Sequence, residues 1–175
     1  MKRFNIAIDG PAGAGKSSIS KEVSKRLGCI YVDTGAIYRA CALYAIMNNI
    51  PITAGDLEPV LDDIKIDIVY RDDGQRIILN SEDVSGKIRE PEVSIGASDI
   101  AVIPSVRLKL VELQRELAKN NNVIMDGRDI GTYVLPDANV KIYLTASVDE
   151  RAKRRVLEFK EKGQELDINS LQNPE

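Results

Sequence analysis

Apolar residues run along this chain in two rhythms. Phe4-Asn-Ile-Ala-Ile8, Cys29-Ile-Tyr-Val-Asp33, Asn122-Val-Ile-Met-Asp126 and Val140-Lys-Ile-Tyr-Leu144 are short, nearly continuous apolar runs, the pattern of strands buried on both faces. Between them the spacing is helical. Ile19, Val23 and Leu27 recur every four residues and predict an apolar stripe on a first helix. Residues Ala36 to Met47 predict a second, with Arg39 in its first turn and Asn48-Asn49 and Pro51 ending it. A third is expected from about Glu92 to Val102, with Pro104 as a break. A fourth runs from Val106 to Lys119 with Leu108, Val111, Leu113 and Leu117, and a charged fifth from Val148 to Lys160. From Glu161 to Glu175 the chain is polar.

One segment breaks the alternation. Ile64-Lys-Ile-Asp-Ile-Val-Tyr70 alternates apolar and polar residues, and Arg76-Ile-Ile-Leu79 follows across Asp72-Asp73-Gly74. That pattern predicts a β-hairpin, with Glu82 to Val84 and Lys87-Ile88 as candidates for a further short strand. Segment 60–92 is therefore expected to be a small antiparallel β insert. The remainder, 1–59 and 93–175, is expected to be an α/β core with a parallel sheet, helices on both faces and right-handed crossovers. In such a sheet a ligand sits beyond the carboxyl ends of the strands.

Composition narrows the class more than the chemistry. Apolar residues make up 43% and charged residues 29% of 175, as in ordinary soluble domains. A net charge of −3 argues against general nucleic-acid binding. The richest apolar stretch, Ala36 to Met47, is too short to span a bilayer and contains Arg39. No secretory leader is read at the N-terminus. Cys29 and Cys41 stand apart in apolar surroundings and are expected to be buried and reduced. These features point to a cytoplasmic protein with no membrane partner. There is no histidine, which excludes a histidine base, a phosphohistidine intermediate and a Ser-His-Asp triad. Chemistry must run on carboxylates, lysines, arginines, hydroxyls and a metal.

The sharpest motif follows the first strand. Gly10-Pro-Ala-Gly-Ala-Gly-Lys-Ser17 fits G-x-x-x-x-G-K-[ST], between a strand and a helix as that motif requires. Gly10, Pro11, Ala12, Gly13, Ala14, Gly15, Lys16, Ser17 and Ser18 are thus expected to bind ATP. Backbone N–H groups would cradle the phosphates, Lys16 would reach the β- and γ-phosphates, and Ser17 would ligate Mg²⁺. Asp126, ending the third apolar run, is expected to hold the same ion directly or through a water molecule. Arg39 and Arg128 form a candidate bidentate clamp for a second phosphate. The basic helix with Arg151, Lys153, Arg154 and Arg155 is either a solvated face or a source of positive charge for the transferring group. An acceptor that is itself a phosphate needs no general base; a hydroxyl acceptor would want one, which Asp33 or Asp129 could be.

Longer pieces carry a family resemblance. Ile8-Asp-Gly-Pro-Ala-Gly-Ala-Gly-Lys-Ser17, Asp33-Thr-Gly-Ala-Ile-Tyr-Arg39, Glu82-Asp-Val-Ser-Gly-Lys-Ile-Arg89, Ala97-Ser98 through Pro104-Ser-Val-Arg107, and Asp126-Gly-Arg-Asp-Ile-Gly-Thr132 resemble bacterial cytidylate kinases, the (d)CMP kinases among the nucleoside monophosphate kinases. The resemblance implies a three-layer P-loop NTPase fold, transfer of the ATP γ-phosphoryl group to CMP or dCMP, Mg²⁺ as cofactor and a monomer. It makes the 60–92 insert the monophosphate-binding lobe and residues near 150–163 a short helical lid. Arg39 and Arg128 would hold the CMP phosphate, and Thr34 would make a phosphate or sugar contact. Ser98, Arg107 and Asp129 would read cytosine: a hydroxyl or carboxylate accepts from its 4-amino group and a guanidinium donates to N3 and O2. Lys16, Arg128, Arg151 and Arg155 would serve catalysis. Members of the family usually continue to a final strand and helix that this sequence lacks, so a bare apolar flank on the sheet is expected. The competing readings are another small P-loop kinase, acting on AMP, UMP or a hydroxylated metabolite, and a nucleotide-dependent switch. The switch is disfavoured because no Asn-Lys-x-Asp segment occurs.

Overall fold

A computed structural model describes residues 3–71 and 74–161, apart from the side chains of Arg155 and of residues 158–161. Four parallel strands form the central sheet in the order β2 (Ile30–Asp33), β6 (Val123–Gly127), β1 (Asn5–Asp9), β7 (Val140–Tyr143). Alternate residues of the inner strands enter two apolar clusters. Ile6, Ile8, Tyr31 and Ile124 face one side; Ala7, Val32, Val123 and Met125 face the other. Burial of both faces is why these runs contain so few polar positions. The helix α1 (Lys16–Leu27) lies on the first side, where Val23 joins the smaller cluster. The helices α2 (Thr34–Met47) and α5 (Pro104–Asn120) contribute to the larger cluster.

Helix α2 is the middle of the molecule. Ala36, Ile37, Ala40, Cys41, Ala42, Leu43 and Ala45 are all buried, as expected of a helix apolar on every side. Its small residues admit close neighbours. Ala42 packs so near Gly96 of α4 (Pro91–Ala101) that a methyl group at Gly96 would lie 3.3 Å from it. A three-stranded antiparallel sheet, β3 (Ile66–Arg71), β4 (Gly74–Leu79) and β5 (Glu82–Asp83), adds Ile66, Ile77 and Leu79 to the same cluster. Asp72 and Asp73 of the hairpin loop, and the polar stretch beyond Glu161, fall outside the described residues.

Four local features differ from the sequence pattern. Of the stripe on α1 only Val23 packs toward the sheet; Ile19 is 44% and Leu27 52% exposed, while Ser20 and Ser24 are buried. Small side chains on the inner face let the helix lie close to the strands. Lys87–Arg89 is a 3₁₀ turn rather than a strand. The segment between α2 and β3 contains a short helix α3 (Ala54–Leu57) and a 3₁₀ stretch, Glu58–Asp63. Strand β7 is exposed along its whole length, Tyr143 at 71%. It pairs with β1 alone among the described residues, so its apolar side chains form an open flank of the sheet, as the family resemblance leads one to expect. Among the described residues, no helix is long and apolar enough to cross a membrane.

Candidate active site

The parallel register sets three strand ends side by side. Asp9 pairs with Gly127, and Asp33 with Asp126. The loop after β1 begins at Gly10, whose φ of +148° suits glycine alone. A methyl group there would stand 1.9 Å from the Leu144 carbonyl oxygen, so the loop and the end of β7 meet only because position 10 has no side chain. Gly15, left-handed at φ +93°, opens α1 with no side-chain cap. The first-turn N–H groups of α1 therefore point out of the helix toward the loop, the arrangement that binds phosphate.

Lys16 Nζ donates to the carbonyls of Gly10 (2.8 Å) and Pro11 (2.9 Å). Burial lowers its pKa, and the nearby Arg128 guanidinium lowers it further. Beside it, Ser17 Oγ donates to Asp126 Oδ2 at 2.7 Å and the Tyr31 hydroxyl to Asp126 Oδ1 at 3.1 Å. Asp126 is only 5% exposed. Burial raises its pKa first and the Asp33 charge second, against the two hydroxyl donors and Lys16. Burial pushes the Tyr31 phenol far up as well, so Tyr31 is a donor throughout the ordinary pH range. Thr34 Oγ1 donates to the Asp126 carbonyl at 2.6 Å and ties α2 to β6.

A second cationic cluster sits one strand away. Asp33 caps α2 by accepting from the Ala36 N–H (3.0 Å). Its other oxygen takes Arg39 Nη2 at 3.1 Å and lies 3.8 Å from Arg89 Nη2. Gln75 of the hairpin accepts from the Asp33 N–H. A cleft of about 680 Å³ opens here between the hairpin and the β2 edge, lined in part by Lys21, Asp33, Tyr70, Arg76 and Arg89. Apart from this cluster, Arg107 donates to Asp129 Oδ2. That bond raises the Arg107 pKa. The Tyr38 phenol, pushed up by burial, faces the same pair.

Asp129 leads into one π-helical turn, Ile130–Val134, a form that favours functional sites. The turn is anchored from below. Asp9, 8% exposed, accepts from the Ile130 N–H on one oxygen (2.7 Å) and the Gly131 N–H on the other (2.8 Å). Asp9→Asn would set an amide N–H₂ against one of these donors. We expect a stability loss of about 1–3 kcal/mol, read as a lower urea midpoint at unchanged m-value. An unchanged midpoint would show that the turn does not depend on Asp9.

A family model described as cytidylate kinase matches residues 6–174. The chain belongs to the cytidylate kinase family. It is 56% identical to a cytidylate kinase of Caldicellulosiruptor saccharolyticus, over 98% of this chain and 76% of that protein. It is 55% identical to one of Caldicellulosiruptor bescii, over 98% and 76%. It is 51% identical to one of Lactobacillus johnsonii, over 97% and 74%.

Within this cytidylate kinase fold, the structure brings together Lys16, Ser17 and Asp126, and separately Arg107 and Asp129. Arg128 is exposed and makes no hydrogen bond or ion pair among the described residues, yet lies near enough to Lys16 to shift its pKa. Ser98 is exposed on α4, its Oγ donates to the Ser94 carbonyl at 3.4 Å, and it makes no hydrogen bond to Arg107 or Asp129 among the described residues. Helix α6 (Val148–Glu161) abuts the loop, because a methyl group at Gly13 would lie 3.1 Å from the Arg151 carbonyl oxygen. Arg154 donates to the carbonyls of Gly13 (3.2 Å) and Ala14 (3.1 Å). The side chain of Arg155 is outside the described ones. Four site residues carried no signal strong enough to be singled out for these positions: Asp9, Tyr31, Tyr38 and Arg89. Arg89 stood at the end of a family-like piece, Glu82 to Arg89, and that was its only pointer.

Proposed function

We propose that the chain transfers the γ-phosphoryl group of ATP to CMP or dCMP, giving ADP and CDP or dCDP. The observation that carries this reading is the pair of separate phosphate-type sites at the ends of β1 and β2, with β6 between them. One is the loop after β1 with Lys16 and the start of α1. The other is Asp33 flanked by Arg39 and Arg89. A single-substrate nucleotide switch has no need of the second.

On the donor side, loop N–H groups hold the phosphates and the Lys16 ammonium exchanges its carbonyl partners for β- and γ-oxygens. Ser17 Oγ and Asp126 Oδ2 are hard oxygen atoms 2.7 Å apart, a donor set that fits Mg²⁺. Ser17 and Asp126 would hold Mg²⁺ there, and the ion would supply positive charge against the charge that develops on the transferring group. On the acceptor side, Arg39 and Arg89 share one carboxylate and would exchange it for the more highly charged CMP phosphate. Arg128, near enough to Lys16 to lower its pKa, would hold the CMP phosphate together with Arg39. The attacking oxygen is already ionised, so no general base is required. Arg107 and Asp129 offer a donor and an acceptor to cytosine, and UMP would leave them mismatched. Arg151 and Arg155 on α6 belong to a lid over the donor. A monomer in the cytoplasm, where both nucleotides are free, completes the reading.

The test is ADP release from Mg²⁺-ATP with CMP, dCMP, UMP, AMP or shikimate as acceptor. CMP or dCMP should give the highest kcat/KM, with UMP lower by at least about tenfold. AMP or shikimate as best acceptor would overturn the reading. Equal turnover with and without acceptor would favour the switch.

A further inference from the structure

The Arg107–Asp129 pair does not stand alone. The Arg107 guanidinium carbon lies 4.7 Å from the centre of the Tyr133 ring, and the Arg115 guanidinium carbon 5.7 Å from the same centre. Tyr133 and Asp129 are joined by the backbone: the Tyr133 N–H donates to the Asp129 carbonyl at 2.9 Å across the π-helical turn. The turn therefore presents a carboxylate and an aromatic ring to one arginine. Arg115 closes the far end, donating from Nη2 to the Tyr133 carbonyl (2.7 Å) and from Nε to the Val134 carbonyl (3.0 Å). Those carbonyls end the turn and have no partner of their own within it. Ring and carboxylate are thus fixed relative to each other, from below by Asp9 and from the side by Arg115.

An arginine held by one carboxylate can still swing about that contact, and its long side chain has several rotamers to lose on binding. A ring against the guanidinium plane removes that freedom and adds cation–π attraction without consuming an N–H donor. We propose that Tyr133 is a positioning residue for acceptor-base recognition, holding the Arg107 guanidinium flat so that its free N–H groups meet the pyrimidine edge. This rests on the reading that Arg107 and Asp129 contact the base. The ring does the positioning and the phenolic hydroxyl does not.

The experiment compares Tyr133→Leu, Tyr133→Phe and Arg107→Met with the unmodified protein in steady-state ADP release. Tyr133→Leu should raise KM for CMP on the order of tenfold, with kcat at saturating CMP and KM for ATP within about twofold. Tyr133→Phe should restore KM to the unmodified value. A separate readout needs no turnover: ring current should shift the Arg107 side-chain NMR signals in the unmodified and Phe forms, and the shift should vanish in the Leu form. If Arg107→Met raises KM for CMP but Tyr133→Leu does not, the positioning role is wrong and base contact stands. If Arg107→Met leaves KM for CMP unchanged, the base-contact reading itself falls. If Tyr133→Phe fails to restore KM while keeping the ring-current shift, the hydroxyl is responsible and the proposal is overturned.

Discussion

Lys16→Met is expected to lower kcat/KM for ATP by about three orders of magnitude while the protein stays folded. The transition state of phosphoryl transfer spreads negative charge over three oxygens, and catalysis is almost wholly positioning plus cations. Lys16 sits among carboxylates: the charges of Asp126, Asp9 and Asp33 all act on it. It is also held ready by two loop carbonyls at 2.8 and 2.9 Å, so little reorganisation separates its resting position from the phosphates. Methionine keeps the length and the apolar stem and removes only the charge. The urea midpoint should therefore move little, because burial already works against the ammonium. A loss of less than tenfold in kcat/KM would assign the charge stabilisation to the arginines instead.

Asp126→Asn is expected to cost activity about 10²- to 10³-fold and to make the protein more stable at neutral pH. The carboxylate is buried and its pKa is raised, chiefly by desolvation and then by Asp33. Between the unfolded value and this higher folded value, the native state binds more protons than the unfolded state. Stability therefore falls as pH rises through that window, and the full penalty is present at pH 7. Asparagine has no charge to bury. Its oxygen can accept from one hydroxyl and its amide can donate to the other, so Ser17 and Tyr31 keep partners. The midpoint advantage of Asp126→Asn should be largest at pH 7 and shrink toward zero below about pH 4, where the native carboxyl is protonated too. A variant less stable than the parent at pH 7 would mean that the carboxylate contributes net stability. Stability given up at a functional carboxylate is a familiar trade.

The two variants separate what the loop and the strand contribute. Both act on the donor half, and neither should alter the preference for CMP over UMP. On the proposed reading that preference belongs to the cluster where Arg107, Asp129 and Tyr133 meet.

Most of the scaffold was legible along the chain. The four parallel strands appear where the apolar runs are, and for β1, β2 and β6 the reason is that a strand buried on both faces has little room for polar residues. The loop from Gly10 to Ser17 was legible because it demands particular residues at fixed offsets: glycine where φ is positive or a backbone comes close, lysine and serine where phosphate chemistry requires them. The misreadings share a cause. An apolar stripe on α1 states that one face could be buried, not that it is. The loop fixes how α1 enters, and Ser20 and Ser24 meet the sheet while Ile19 and Leu27 do not. Strand β7 likewise has apolar composition without burial.

The sequence by itself determined the family, the parallel α/β core, the triphosphate loop and the arginines and carboxylates available for chemistry. Each of those depends on local spacing or on residue type. Only the tertiary structure decided which side chains meet. Asp9 reaches across 121 residues to Ile130, Tyr31 across 95 to Asp126, and Arg154 across 141 to Gly13. No pattern of periods 2 or 3.6 encodes such pairings, because they depend on strand order and on the angle at which each helix lies over the sheet. The turn from Asp129 to Val134, with Arg107 and Arg115 folded against it, is such an assembly, and no local pattern along the chain spells it out.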